Sequence, residues 1–279
     1  MSNYSYPKIL KELEEISIRA GKKLISRQKK LDALKVTYKQ AQGLVSNADV
    51  ESEKSIINFL RKRYSEIEFL AEESAFEKFK GKTEAYKHFQ NTDYAWIIDP
   101  LDGTHNYLSG FDYFAICIAL VKKGKPVVGS IYRPHTGEIF TAMAGKGAYK
   151  KILPNGRKVL LAGKKQPNKL KDSLMITGFS SEKGELFERE FTLFKKIMSK
   201  SRGVRRLGSA ALDLCYVSQG VFDGFWEKDL APWDVAAAGL IAQESGLLVS
   251  DFKGQKFHPF QNSILAASGI LHRELRREF

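Results

Sequence analysis

The sequence predicts a mixed chain, α/β with an α+β first half, in which helices pack on sheets in layers. Three observations predict it. Trp96, Ile97 and Ile98 form an apolar strand that runs into two aspartates three residues apart. Residues 114–149 break into short β-rich runs, FAICIALV, PVVGSIY, EIFTAM and GAYK, separated by Gly-Lys and Arg-Pro-His turns, which reads as an antiparallel meander. From residue 174 onward strands and helices alternate, and such alternation buries both only when helices cover sheet faces.

Taken in order, Pro7 suits a first helical turn, and Ile9, Leu13, Ile16, Ala20 and Leu24 keep a helical period, so an amphipathic helix is expected over 6–29. The stretch 38–47 has the character of a mobile loop or a short hairpin. A second helix is expected over 49–64, with Ile56, Ile57 and Leu60 inward, followed by strands at 67–71 and 95–98. The latter reads as a buried parallel strand that Pro100 halts, leaving Asp99 and Asp102 on the turn at its carboxyl end, where open α/β sheets place ligands. Gly103 and Thr104 then begin a short helix that ends near Gly110. After the meander, a Lys-rich link over 163–172 leads to strand 174–177, helices 186–198 and 209–219, strand 221–226, helix 235–245 and strands 247–249 and 264–267.

At 279 residues the chain is long enough for one large domain or two fused subdomains. The division falls at the Lys-rich link, about 1–165 and 166–279. The formal charge of +13, from 45 basic and 32 acidic side chains, points to nucleic acid, anionic lipid or a phosphorylated metabolite as partner classes. Basic residues cluster at 22–30, 164–169 and 195–206 and read as solvated faces. No Arg-rich tail, zinc-finger spacing or aromatic-basic signature accompanies them, so nucleic-acid binding is weakly supported. Cys117 and Cys215 both lie in apolar settings and are expected as buried free thiols, which favours a reducing, cytoplasmic compartment. The first residues are charged from position 8 and lack a signal-peptide core, and the longest uncharged apolar run, 114–121, is too short to span a bilayer. No membrane association is expected.

Two carboxylates on one tight turn repel by roughly 4 kcal/mol if about 4 Å apart at an effective dielectric near 20, and a divalent cation is the simplest compensation. Asp102-Gly103 is also a hairpin-turn signal, so a bare turn is the competing reading. A calcium loop fits worse, because Leu101 and Gly103 stand where the EF-hand pattern wants oxygen donors. The other acids weigh against the bare turn. Glu72 and Glu73 close the FLAEES run at a sheet edge, Asp234 sits at a helix start in WDVAAAGLIAQESG, where capping is its plain role, and Asp49 sits at another in LVSNAD. Four elements thus present acids at strand ends or helix starts, an oxygen-rich donor set suited to magnesium. His105 is the only nearby histidine and no cysteine shares the spacing, which disfavours zinc.

In order along essentially the whole chain, LVSNAD, AEES, DPLDGTHNY, RRLGSAALDL and DGFWEKDLAPWDVAAAG resemble the signature segments of the inositol monophosphatase family, lithium-sensitive, magnesium-dependent phosphatases. The resemblance implies a single catalytic domain with a layered αβαβα sandwich of the kind shared with fructose-1,6-bisphosphatases, usually a homodimer, that hydrolyses a phosphate monoester with two or three Mg2+ ions. It makes Glu72, Asp99, Asp102 and Asp234 metal ligands, with the Leu101 carbonyl as another and Asp99 bridging two ions. It makes Asp49 and Thr104 the pair that orients and helps deprotonate the attacking, metal-activated water, with Glu72 counted beside them as catalytic. The amides of Gly103 and Thr104 are expected to face the phosphate, with Gly103 letting the backbone come close.

By the same resemblance Gly208, Ser209, Ala210 and Asp234 line the substrate pocket, and Glu227 matches a residue that bonds ring hydroxyls in members acting on inositol; the plain alternative for Glu227 is a solvent-facing acid paired with Lys228 or a neighbouring basic residue. His105-Asn106-Tyr107 replaces the more usual Thr-Asn-Phe, and the absence of Lys-Glu there argues against adenosine 3′,5′-bisphosphate. Gly43 replaces an acid often found before the Leu-Val pair. The expected substrate is myo-inositol monophosphate or a similar polyol phosphate. The alternatives are the same chemistry on fructose 1,6-bisphosphate, histidinol phosphate or a 3′-phosphonucleotide, and an RNA- or protein-binding role for the basic surface.

Overall fold

The structure, a computed structural model, describes residues 4–31, 36–39, 43–79, 83–162, 167–179 and 184–279. Its elements are α1 (Tyr6–Gln28), β1 (Val36–Lys39), β2 (Gly43–Ser46), α2 (Asn47–Arg61), β3 (Glu68–Ala71), α3 (Glu72–Phe79), α4 (His88–Asn91), β4 (Ala95–Asp102), α5 (Thr104–Leu108) and β5 (Ala115–Lys122). They continue with β6 (Lys125–Arg133), β7 (Glu138–Met143), β8 (Ala148–Ile152), β9 (Val159–Leu161), β10 (Leu174–Thr177), α6 (Glu185–Lys200) and β11 (Gly203–Arg205). The last are α7 (Ala210–Ser218), β12 (Gly224–Lys228), α8 (Pro232–Glu244), β13 (Leu248–Ser250), β14 (Ser263–Ala267) and α9 (Gly269–Arg276).

Strands β3 to β9 form a seven-stranded sheet in sequence order. Only β3 and β4 are parallel there; every later pair is antiparallel, which is the expected meander. The second sheet has the order β11-β10-β12-β14-β13, with β10 parallel to both neighbours and β14 antiparallel to both of its own. Of the two readings of 38–47, the hairpin is observed: β1 and β2 pair antiparallel, with 40–42 outside the described residues. Residues 163–166 of the Lys-rich link and of its basic cluster also lie outside them. The basic residues at 22–30 and 195–206 are exposed, as a solvated face should be.

Period-2 alternation in β4 and β5 builds the layers. Trp96, Ile98, Ile116, Ile118 and Leu120 face Ile9, Leu13, Ile16 and Leu24 of α1 and Ile56 and Leu60 of α2. Ala95, Ile97, Ala115, Cys117 and Ala119 face the other way, onto α7 and α8. The far side of the second sheet packs Met175, Trp226 and Leu265 against Ile197 of α6 and Leu271 and Leu275 of α9. The result is five layers, αβαβα. Helix α8 lies between the two sheets and is apolar around most of its circumference, which is why its sequence, PWDVAAAGLIAQE, lacks a polar face.

Three boundaries correct the sequence expectation. Pro100 does not halt the strand: β4 continues to Asp102, with a register shift against β5 between Asp99 and Asp102. Pairing with β3 ends at Ile98, so the proline's missing N–H falls at a bulge on a locally unpaired edge, where proline is tolerated. Glu72 and Glu73 do not close the strand: β3 ends at Ala71 and they are the first residues of α3. Asp234 is the third residue of α8, which begins at Pro232, so it is not the N-cap; its Oδ2 accepts the Ala231 N–H at 2.7 Å.

Gly129 of β6 shows how tightly the central helix is seated. A Cβ there would lie 3.1 Å from both Cα and O of Ala237, backbone atoms that have no rotamer to yield. Gly129→Val is therefore expected to destabilise the protein by about 1–3 kcal/mol through overpacking, read as a lower urea midpoint at unchanged slope.

Candidate active site

The alternation that builds the core also aims the first acid. Asp99 continues the Ala95, Ile97 face of β4 and therefore points toward α8, which carries Asp234. The bulge then re-aims the chain so that Asp102 joins them. Asp99, Asp102 and Asp234 each place an oxygen within 4.8 Å of the others. Each is fixed through one oxygen: Asp99 Oδ1 accepts the Leu101 N–H at 2.9 Å, Asp102 Oδ2 accepts the Ala211 N–H at 3.0 Å and the Ser209 hydroxyl, and Asp234 Oδ2 accepts the Ala231 N–H. A carboxylate has about four lone-pair directions, so each retains acceptor capacity for a cation.

Glu72, half-buried at the start of α3, is the strongest neighbouring charge acting on Asp99. Its helix start is held by a residue that sequence reasoning did not single out. Glu53 of α2, 3% exposed, accepts the Glu73 and Ser74 N–H groups at 2.7 and 2.9 Å, and the Ser74 hydroxyl as well. Its signal was present: Asp49 and Glu53 are four apart and lie on the buried face of an amphipathic helix, where an acid needs a partner. Ser52 between them donates to the Pro100 carbonyl at 3.1 Å, tying α2 to the bulge.

Asp49 and Thr104, 55 residues apart in sequence, meet. The Thr104 hydroxyl lies 3.1 Å from Asp49 Oδ1 and 3.0 Å from the Leu101 carbonyl, and having one hydrogen it donates to one at a time. Asp49 Oδ2 closes a capping box, accepting the Ser46 N–H at 2.9 Å and the Ser46 hydroxyl at 2.6 Å. Gly103 has φ of 92° and Gly208 φ of 84°, both in the left-handed region. A Cβ on Gly103 would stand 3.0 Å from the Tyr113 carbonyl and 3.3 Å from that of Gly208, so the two predicted glycines lie together.

On the second half's side, Ser209 caps α7, accepting the Leu212 N–H at 3.3 Å, and is buried against Asp102; Ala210 is the first residue of that helix. Glu227 is half-buried at the end of β12 rather than solvent-facing, with its carboxylate over Gly178, where a Cβ would lie 2.2 Å from Oε1. Burial pushes its carboxyl well up, reinforced by Asp213 and Asp234. His105 is exposed and Tyr107 is buried, its hydroxyl donating to the Leu24 carbonyl at 2.9 Å.

Matching the whole of this architecture, the model of the inositol monophosphatase family covers residues 6–279. The chain belongs to that family. It is 35% identical over 264 residues to the Nus factor SuhB of Pasteurella multocida, covering 93% of this chain and 92% of that one, and 35% identical over 268 residues to the inositol-1-monophosphatase of Mesorhizobium japonicum, covering 96% and 94%. The extragenic suppressor protein suhB of Bartonella henselae superposes with a TM-score of 0.83 at 33% identity over 97% of this chain and 98% of that one. Equal likeness to a protein named as a Nus factor and to one named as an inositol-1-monophosphatase leaves substrate to be argued from the site.

The residues present fit the metal dependence of the family. All donors are hard oxygens, with no histidine or cysteine in the cluster, as magnesium requires and zinc does not. The acids are also poorly tolerated without a cation. Burial, then Glu72, Asp102 and Asp234, pushes Asp99 well above the ordinary carboxylate range; burial pushes Asp102 up to about 6, and burial reinforced by Asp102 pushes Asp234 up to about 7. A carboxyl whose folded-state pKa lies above its unfolded value takes up a proton on folding between the two, so stability is highest below about 4 to 5 for these groups and falls as pH rises through 6 to 7. In EDTA the melting temperature is expected to fall between pH 5 and pH 8. Magnesium should raise it more at pH 8 than at pH 5, and Asp99→Asn should raise the metal-free value at pH 8; a melting temperature independent of pH in EDTA would contradict the electrostatic account.

Proposed function

We propose that the chain is a magnesium-dependent phosphatase that hydrolyses the monoester of a small polyol phosphate, myo-inositol monophosphate or a close analogue, by attack of water on phosphorus. The observation that carries the reading is the hydrogen-bonded pair of Asp49 and Thr104 set beside three converging aspartates, a proton acceptor and an orienting hydroxyl next to an oxygen-rich cation site. Glu72, Asp99, Asp102, Asp234 and the Leu101 carbonyl would hold the ions. Bound divalent cations lower the pKa of water and offset charge on the attacking and leaving oxygens.

The chain's own residues do the rest. With its hydrogen on Asp49, the Thr104 oxygen accepts a hydrogen from the attacking water and so directs a water lone pair at the phosphorus. Burial pushes the Asp49 carboxyl up, which makes it a better proton acceptor than an exposed carboxylate. The left-handed turn at Gly103, seated on the Tyr113 and Gly208 carbonyls where a Cβ would not fit, would turn backbone N–H groups toward the phosphate. On the leaving-group side Glu227, Gly208 and Ala210 line the space for a polyhydroxylated ring, and a half-buried carboxylate there favours hydroxyl donors over a second phosphate.

Phosphate release from a panel of myo-inositol monophosphate, fructose 1,6-bisphosphate, histidinol phosphate and a 3′-phosphonucleotide, with and without magnesium, tests the proposal. Hydrolysis should require magnesium, and Thr104→Ala or Asp49→Asn should lower kcat by about 10²- to 10⁴-fold. Full activity of Asp99→Asn, or no hydrolysis of any monoester, would sink it. Glu227→Gln should raise KM for the polyol phosphate more than for an aryl phosphate that lacks ring hydroxyls. Retention on RNA that depends on salt and survives Asp102→Asn, in a chain without phosphatase activity, would favour the basic surface instead.

A further inference from the structure

A buried pair outside the ligand set joins the two halves of the site. The Tyr113 hydroxyl donates to Asp213 Oδ1 at 2.7 Å, with Tyr113 4% and Asp213 1% exposed. Burial pushes the Asp213 carboxyl well up; the Tyr113 hydroxyl is the largest compensation, with Arg206 acting more weakly from outside hydrogen-bond reach, and burying a carboxylate on those terms is costly. Its placement explains why it is there. Asp213 is the fourth residue of α7, the helix whose cap Ser209 and residue Ala211 hold Asp102. Tyr113 is fixed at its other end too: its carbonyl accepts Asn106 Nδ2 at 2.7 Å, the same nitrogen lies 2.8 Å from the Leu207 carbonyl, and the Gly103 turn packs on that Tyr113 carbonyl. The ring stacks with Phe111 at 6.2 Å and with Tyr216 at 6.0 Å, and the Arg133 guanidinium lies 5.2 Å from its centroid.

The connections form a closed circuit: Asp102 to α7, α7 through Asp213 to Tyr113, and Tyr113 through Asn106 and Gly103 back to Asp102. The Tyr113 to Asp213 bond joins α7's body to the segment after the aspartate motif by a direct side-chain hydrogen bond. We propose that Tyr113 and Asp213 are positioning residues: their hydrogen bond sets how α7 presents Ser209 and Ala211 to Asp102, and so sets the cation affinity of the cluster and the place of the Gly103 turn. The proposal rests on the phosphatase reading. It is not needed for that reading to hold.

The test uses the full chain, with magnesium binding to metal-free protein measured by calorimetry and turnover measured at saturating magnesium. Tyr113→Phe removes only the hydroxyl and is expected to weaken magnesium binding and lower kcat each by about 10- to 100-fold, with substrate KM changed less than about twofold. Asp213→Asn, with Tyr113 intact, keeps an acceptor oxygen for the hydroxyl and should retain most of both. Because Tyr113→Phe strands a buried carboxylate, a Tyr113→Phe/Asp213→Leu double variant separates folding from positioning: it should regain thermal stability while staying impaired in magnesium affinity and kcat. Wild-type affinity and kcat in Tyr113→Phe or in the double variant, whatever the melting temperature, would overturn the proposal while leaving the phosphatase reading intact. A wild-type protein that binds no magnesium and releases no phosphate would overturn both.

Discussion

Everything in this fold is arranged around the cost of putting Asp99, Asp102 and Asp234 in one buried place. Three carboxylates with oxygens within 4.8 Å of one another repel, and burial raises that cost by removing the water that would screen it. The protein meets part of the cost with dipoles rather than with cations of its own. Asp102 of β4 lies against the start of α7, and Asp234, in the first turn of α8, accepts the N–H of the N-cap residue Ala231; at such helix starts unsatisfied backbone donors and the helix dipole favour negative charge. What dipoles leave uncompensated is what a divalent ion would supply. The same cluster that would weaken a metal-free fold is the one that would draw a cation in.

That constraint accounts for features remote from the acids. Helix α8 must bring Asp234 to the end of β4, so it runs between two sheets and its surface must be small and apolar on nearly all sides; its alanines and the close approach of Gly129 follow. Helix α2 must bring Asp49 to Thr104 and Glu53 to the start of α3, so its inward face carries two acids and a serine among isoleucines. Both helices are designed less for stability than for delivery of a carboxylate at a fixed place.

How much of this could be read from the sequence depended on range. The meander, the alternating second half and the long first helix were legible because period and turn chemistry are local, and Leu174–Thr177 and Glu138–Met143 match the expected bounds. The layers, and the meeting of DPLDGTHNY with WDVAAAG and LVSNAD, were legible through the resemblance of their order and spacing to one family. What failed was local chemistry overridden by tertiary context. Pro100 is a strand breaker only where its N–H would be needed, and at a bulge it is not. Asp234 looks like an N-cap because Asp-led helices usually are, yet Pro232 opens the helix two residues earlier. Glu53, Tyr113 and Asp213 went unread for another reason: each is one polar residue in an ordinary amphipathic or apolar run, and only its partner, at separations of 20 and 100 residues, reveals its use.

The sign of the charges orders events on the phosphatase reading. The chain carries +13, but the described basic clusters at 22–30 and 195–206 lie on exposed parts of α1, α6 and β11, and salt at physiological strength screens them beyond roughly 8 Å. A phosphate approaching the Gly103 turn therefore meets mainly the nearby acids, and the few N–H groups of the short helix α5 do not outweigh several buried carboxylates. On the proposed function cations would have to enter before the phosphate, because they would reverse the local sign. The basic surface can then speed arrival of an anionic substrate without fixing which one is accepted, a choice that on the proposed function would fall to the uncharged and acidic groups around Gly208 and Glu227. Net charge and specificity are thus separate properties of this chain, and its basic composition says little about the shape of the molecule that it hydrolyses.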